Sequence, residues 1–282
     1  LIDINAMDSN DFLEFAKVNT DNPYEKFEPK RRLFRFKKAF NSFFDSLKFE
    51  RIGNPVNGEI PILFKKNGKE VDIDKLSTGE QQIVFRGTRL LKNIDIMEHS
   101  IVLIDEPELS LHPRWQKKIY NFYKDLFNDG TTQKAQVIFA THSQYVIESA
   151  LKDEKSLVIV LKHNGVSVDT KPIISPLKLD YISPSEVNYE AFNVCDIDYH
   201  TALYAKFGQQ CGKTTISEID QEIRNSTLYN PAVHRKPYTH ESKTYETLPT
   251  YIRNCIDHPD LTHNYNDEEL KISIEFLRSI IS

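Results

Sequence analysis

Long apolar runs are missing from this 282-residue sequence: none approaches the ~18 to 20 consecutive apolar residues that a helix needs to cross a membrane. The opening residues, Leu1 to Asn10, lack the basic-then-apolar order of a secretion signal, so a cytoplasmic chain with no membrane contact is expected. Cysteine is scarce. Cys195, Cys211 and Cys255 form an odd, scattered set, which argues against a disulfide framework and offers no zinc spacing. Net positive charge is missing too: 36 Lys and Arg face 41 Asp and Glu, for −5 overall. Any nucleic-acid contact must therefore come from a local basic patch and not from the field of the whole molecule. Internal repeats and low-complexity tracts are also absent. What is present, 39% apolar residues, suffices for one large or two modest cores.

The one strongly basic stretch is Lys30 to Lys38, with Leu33, Phe34 and Phe36 interleaved. It can be read as a nucleic-acid patch. It can also be read as a helix whose apolar stripe, Leu33, Phe36, Phe40, Phe43, Phe44 and Leu47, is buried while the cations are solvated, and that reading is preferred because such helix faces are common. Helical patterns cover Asn10 to Val18 and about Pro29 to Lys48, broken between by Pro23 and Pro29. Strands are expected at Phe49 to Ile52, Ile60 to Lys65 and Val71 to Ile73, the last two joined by a tight Asn67-Gly68 turn. After a helix from Gln82 to about Lys92 come apolar, β-rich runs at Ile101 to Ile104, Gln136 to Ala140 and Leu157 to Leu161. They alternate with helices at Pro113 to Phe127 and Gln144 to Leu151. That alternation predicts an α/β fold with a parallel-sheet core. Beyond Asp169 the chain is punctuated by Pro172, Pro176 and Pro184, and the remainder reads mostly helical, with Asn225 to Thr244 an irregular loop. The organisation expected is a helical arm over 1–48, an α/β domain over 49–180 and a helical domain over 181–282.

The strongest chemical signal is the run Ile101 to Ile104 closed by Asp105 and Glu106. Ligands gather at the C-terminal ends of parallel strands, so both carboxylates should meet substrate there. Asp105 suits Mg²⁺, which takes few carboxylates and keeps its waters. Glu106 suits the group that orients and deprotonates an attacking water. Standing alone, such a strand end would more often be a solvated turn. Some twenty residues upstream, however, lie Leu76, Ser77, Thr78, Gly79, Glu80, Gln81 and Gln82. About thirty-five residues downstream lie Ala140, Thr141, His142 and Ser143.

In order and spacing these segments resemble the ABC-type ATPases: Leu76 to Gln82 their signature loop, Asp105-Glu106 their Walker B pair, Glu108 to His112 their D-loop, and His142 their switch histidine. The resemblance covers Leu76 to Leu161 and implies ATP and Mg²⁺ as cofactors. It also implies a homodimer or higher homo-oligomer, in which Ser77 and Gly79 meet the γ-phosphate held by the other subunit. A helix N-terminus there would favour that phosphate physically. Asp-Glu-Pro-Glu followed by Leu-His-Pro looks like the branch with SMC, RecF and OLD-type ATPases. One element is missing: no Gly-x-x-x-x-Gly-Lys-Ser/Thr loop lies between Leu1 and Lys75, and Gly208 to Thr215 is a residue short and follows a helix. The expectation is a chain that begins partway through a longer ATPase and does not hydrolyse ATP by itself.

In the tail, Arg253, Asn254 and His258 resemble the Arg-x4-His motif of HEPN ribonucleases, with Pro259 set to end the helix. A lone pair of this kind also arises by chance, and a histidine in a last helical turn can simply satisfy carbonyls. As a whole the chain resembles antiphage-defence ATPases of the Septu, retron-associated or anticodon-nuclease kind. This implies an ATPase gating a nuclease that acts on RNA or DNA, in the same chain or in a partner toxin. The alternatives are a DNA-repair ATPase that clamps DNA without cutting, and a scaffold that restrains a separate nuclease.

Overall fold

Helix α1 starts at Ile2, ahead of the Asn10 start expected, and runs to Val18; α2 (Pro23–Phe27) and α3 (Arg32–Phe43) come next. A computed structural model describes all residues except 94–98, 128–134, 241–242 and 260–261. By their contacts they divide into two compact units, Leu1–Ser149 and Ala150–Ser282.

In the first unit, Phe36, Phe40 and Phe43 on α3 are buried, with Phe44 and Leu47 beyond it, as helical spacing predicts for the apolar stripe. The cations of the basic stretch are mostly engaged within the fold. Arg32 pairs with Asp8 at 3.1 Å and Asp11 at 2.6 Å, Arg31 lies 3.8 Å from Asp8, and Lys30 sits over the Phe15 ring. Helix α3 ends at Phe43 and gives way to a three-stranded antiparallel sheet, β1 (Leu47–Ile52), β2 (Ile62–Lys66) and β3 (Lys69–Asp72). Asn67 and Gly68 make the β2–β3 turn, both at positive φ, which these two residue types tolerate. Helices α4 (Thr78–Lys92), α5 (Pro113–Phe127) and α6 (Gln144–Leu151) alternate with strands β4 (Ile101–Asp105) and β5 (Gln136–Ala140). β4 and β5 pair in parallel, from Ile101 opposite Gln136 to Asp105 opposite Ala140. Phe43 of α3 meets Phe122 of α5 at 5.3 Å, so α3 belongs to the core of this unit.

The second unit corrects two expectations. The run at Leu157 to Leu161, expected as a third strand of the parallel core, forms β6 (Val158–His163), which among the described residues makes a two-stranded antiparallel sheet with β7 (Val168–Ile173). An apolar run cannot announce its partner, and the strand after it, with three polar residues and Pro172 in six, carries little apolar pattern. The segment expected to be irregular holds a one-turn helix α10 (Pro231–His234) and a hairpin of β8 (Arg235–His240) and β9 (Lys243–Thr247). Pro237 cannot donate to a ladder, and the register shifts there, between Arg235 and Tyr238. Helices α7 (Pro184–Phe192), α8 (Ile197–Gln210), α9 (Ile216–Asn225), α11 (Leu248–Asp257) and α12 (Asp267–Ile280) supply the rest. Tyr199, Leu203, Ile223, Ile252, Ile274 and Leu277 are fully buried in this unit's own core. Gly208 to Gln210 finish α8 and Thr215 caps α9, so that glycine-bearing segment is a helix–turn–helix joint and no strand–loop–helix cradle. The units divide between Ser149 and Ala150, and among the described residues β6 and β7 form a two-stranded sheet. Among the described residues no helix is long and apolar enough to cross a membrane.

Candidate functional site

The start of α4 is set by a reciprocal cap. Ser77, in extended conformation, accepts from the Glu80 backbone N–H through its side chain, and Glu80 Oε2 accepts from the Ser77 N–H at 2.7 Å. Lys66 at the end of β2 donates to the same Glu80 oxygen at 2.7 Å. Burial pushes the Glu80 carboxyl upward, but the bonds from Lys66 and Ser77 outweigh it and leave its pKa below the ordinary value. Leu76 is buried, Ser77 and Thr78 are exposed, and Gln81 donates to the Ile73 carbonyl at 3.2 Å. Gly79 is buried where a Cβ would lie 3.2 Å from the Trp115 ring and 3.3 Å from the Ser110 carbonyl oxygen. A side chain at this position would force the Trp115 ring or the Ser110 carbonyl to give by a few tenths of an ångström, so glycine suits the close approach of the head of α4 to the 106–110 loop.

That loop begins where β4 ends. Asp105 is exposed at the strand terminus, paired in register with Ala140. Glu106 takes a left-handed backbone, φ 40°, while its N–H still donates to the Ala140 carbonyl at 2.8 Å, so the ladder continues one step as the chain turns. Such a conformation costs a non-glycine residue roughly 1 kcal/mol or more. Ser110 repeats it at φ 64°. The loop is tied to α4 by Arg86, which donates to the Pro107 carbonyl at 2.9 Å. It is tied to the loop after β5 by Glu108, whose Oε1 accepts from the Thr141 hydroxyl at 2.7 Å and from the His142 backbone N–H at 2.9 Å. Ser143 donates to Gln116 of α5 at 2.9 Å, and Gln116 donates to the Leu111 carbonyl at 3.0 Å. His142 itself is exposed.

The structure thus brings Asp105, Glu106, Thr141 and His142 to one end of the parallel pair, with the capped head of α4 attached through Gly79 and Arg86. Sequence reading missed Glu108, Arg86, Gln116 and Trp115 as the ties. Glu108 had a visible signal, a third acid close behind the Asp105-Glu106 pair, whereas Arg86 and Gln116 had none. Among the described residues no group of three or more His, Cys, Asp or Glu side chains is assembled for a metal. A single exposed carboxylate at Asp105 does fit Mg²⁺, which is held by one or two carboxylates together with phosphate oxygens and water.

Arg253 and His258 lie in the second unit. Helix α11 stops at Asp257, leaving His258 as its exposed C-cap, while half-buried Arg253 donates to Asn254 Oδ1 at 3.0 Å and pairs with Asp257 at 2.5 Å.

Residues 6–148, just over half of the chain, match the family described as "AAA domain, putative AbiEii toxin, Type IV TA system". The chain is 28% identical over 43% of its length to the "Retron Vc95 probable ATPase" of Vibrio cholerae serotype O1 biovar El Tor, covering 23% of that protein. It is 25% identical over 41% of its length to the "Septu protein PtuA" of Bacillus thuringiensis, covering 30% of that one. The chain thus spans under a third of the length of these curated relatives. A solved structure from work on "ATP-driven dimerization and DNA stimulated activation of SMC ATPases" matches 51% of the chain and 84% of its own, at 16% identity and a TM-score of 0.38.

Proposed function

The chain belongs to the AAA-domain family whose match spans residues 6–148, and from that membership we propose that it is part of an ATP-hydrolysing switch in antiphage defence that gates a nuclease. The carrying observation is the joint at the strand ends: Glu106 hydrogen-bonded to Ala140, and Glu108 to Thr141 and His142, hold the proposed Walker B pair and switch histidine beside one another. Magnesium-bound ATP would supply the phosphoanhydride to be cleaved, its negative charge partly neutralised by the metal. Asp105 would hold the metal, directly or through water. Glu106 accepts the proton of the attacking water and orients it toward phosphorus. His142 donates a hydrogen bond that reports the γ-phosphate. Leu76 to Gln81 present the N-terminus of α4 to a phosphate bound in a second copy, as a family resemblance to ABC-type ATPases implies. The Ser77 N–H is held by Glu80 and the Leu76 N–H by the Ile73 carbonyl, which leaves the Thr78 and Gly79 amides and the exposed hydroxyls of Ser77 and Thr78 to meet that phosphate. Dimer closure and a cytoplasmic setting belong to the same proposal, and the relatives' names support the defence setting.

The nuclease arm of the proposal lies at Arg253 and His258, supported by α11 ending at Asp257 with His258 as its C-cap and Arg253 about one turn before that end. Arg253 is neutralised by Asp257, so binding of an RNA phosphate would have to displace that carboxylate. His258 would serve as the base toward a 2′-hydroxyl and Arg253 would stabilise the developing phosphorane charge. A single set of assays on the full-length protein tests both arms. Glu106→Gln should abolish ATP turnover while trapping an ATP-bound dimer in gel filtration, and unchanged hydrolysis would reject the assignment. Wild type should cleave tRNA and Arg253→Ala and His258→Ala should not. Cleavage by neither wild type nor variants, with DNA retained in the presence of ATP, favours a DNA clamp instead.

A further inference from the structure

Glu108 stands two residues beyond the proposed base and has no chemical step of its own in the proposed ATPase cycle. Its Oε1 receives two donors from a single loop, the Thr141 hydroxyl and the His142 backbone N–H. Its Oε2 is buried with no hydrogen-bond partner among the described residues. A carboxylate half-satisfied in this way is costly to keep inside a protein, since each unpaired buried lone pair gives up its hydration.

Its surroundings suggest what it does. The segment bearing Glu108 is fixed on three other sides: Glu106 N–H to the Ala140 carbonyl, the Pro107 carbonyl to Arg86, and the Ser110 carbonyl against Gly79. Glu108 is the side-chain link between this held segment and the backbone amide of His142, a separation of 34 residues in sequence. On the far side, Ser143 is tied through Gln116 to Leu111 of the same loop. The backbone at residues 141–143 therefore follows the 106–111 loop, and that loop follows the head of α4.

We propose that Glu108 is a positioning residue that sets the imidazole of His142 in register with Glu106, so that the two address one phosphate as a unit. The inference rests on the proposed ATPase site and adds to it the group that makes its parts act together. A displacement of about 1 Å between acting groups is enough to cost on the order of a hundred-fold in rate.

The test uses steady-state ATP hydrolysis by the full-length protein. Glu108→Ala is expected to lower kcat on the order of ten- to a hundred-fold while the KM for ATP moves by no more than about two-fold, since substrate binding is left in place. Glu108→Gln, which keeps an acceptor for both donors, should recover most of that loss. In a His142→Ala background Glu108→Ala should cost nothing further, because a residue acting through the imidazole has nothing left to position. Equal losses in both backgrounds, or wild-type kcat in Glu108→Ala, would overturn the proposal. Should Glu108→Ala fail to fold, Thr141→Val removes one of the two tethers from the other side. It should lower kcat several-fold, with Thr141→Ser behaving as wild type; equal rates in Val and Ser overturn the proposal as well. The broader site assignment fails separately, if wild type shows no ATPase activity or Glu106→Gln retains it.

Discussion

A single histidine shows how the interior of the second unit constrains its chemistry. His200 on α8 is fully buried, its Nε2 hydrogen-bonded to the Ser273 hydroxyl at 2.9 Å and its Nδ1 without a partner among the described residues. Burial drives its pKa down to about 3, because the protonated ring would lose its hydration with no counter-charge in return. The unfolded chain restores an ordinary value near 6.5, so below that pH the unfolded state binds the extra proton and the folded state does not. Stability from this group is therefore complete above about pH 6.5 and lost as pH falls toward 3, at a slope approaching 1.4 kcal/mol per pH unit. Urea unfolding at pH 7, 6 and 5 should show that fall, and His200→Leu should flatten it. A variant with the same slope as wild type would remove His200 as the cause.

Among the elements, α3 depends on a residue that is not its own. Its N-cap, Arg31, offers no side-chain acceptor, and the exposed amides are met instead by Asp8 of α1, which accepts from Arg32 N–H at 3.0 Å, Leu33 N–H at 2.9 Å and Arg32 Nη1 at 3.1 Å. Asp8 is fully buried, so removing it strands both amides and takes a carboxylate from the Arg32 guanidinium, which keeps its pairing with Asp11. Asp8→Ala should cost roughly 3 kcal/mol or more in urea unfolding, against well under 1 for an exposed pair such as Lys17–Glu14. The sequence exposed α3's buried phenylalanines through their spacing, but a cap reaching across 24 residues leaves no local pattern. The same distinction separates what was legible from what was not elsewhere. β4, β5, α5 and α6 followed from short apolar runs and their punctuation, and with β4 and β5 the placement of Asp105, Glu106 and His142 at one end of the pair. The antiparallel partner of β6, the bulged β8–β9 hairpin and the Glu108 tether all depend on pairings between segments, which composition and periodicity do not record.

For the molecule as a whole, the division after Ser149 coincides within a residue with the end of the family match at residue 148. The groups proposed to address a phosphate lie before it and the Arg253–His258 pair lies after it. Each side closes a core from its own residues: Phe36, Phe40, Phe64, Ile83, Ile119 and Leu126 in the first, Tyr199, Leu203, Ile252, Ile274 and Leu277 in the second. Units with separate cores unfold cooperatively within themselves, so calorimetry should resolve two transitions. The variants assign them. Asp8→Ala acts in the first unit and should lower one transition only, while His200→Leu at pH 5 should shift the other relative to wild type. If both substitutions moved one shared transition, the two units would be a single cooperative body, and a nucleotide-driven change in the first could not be treated as a separable input to the second.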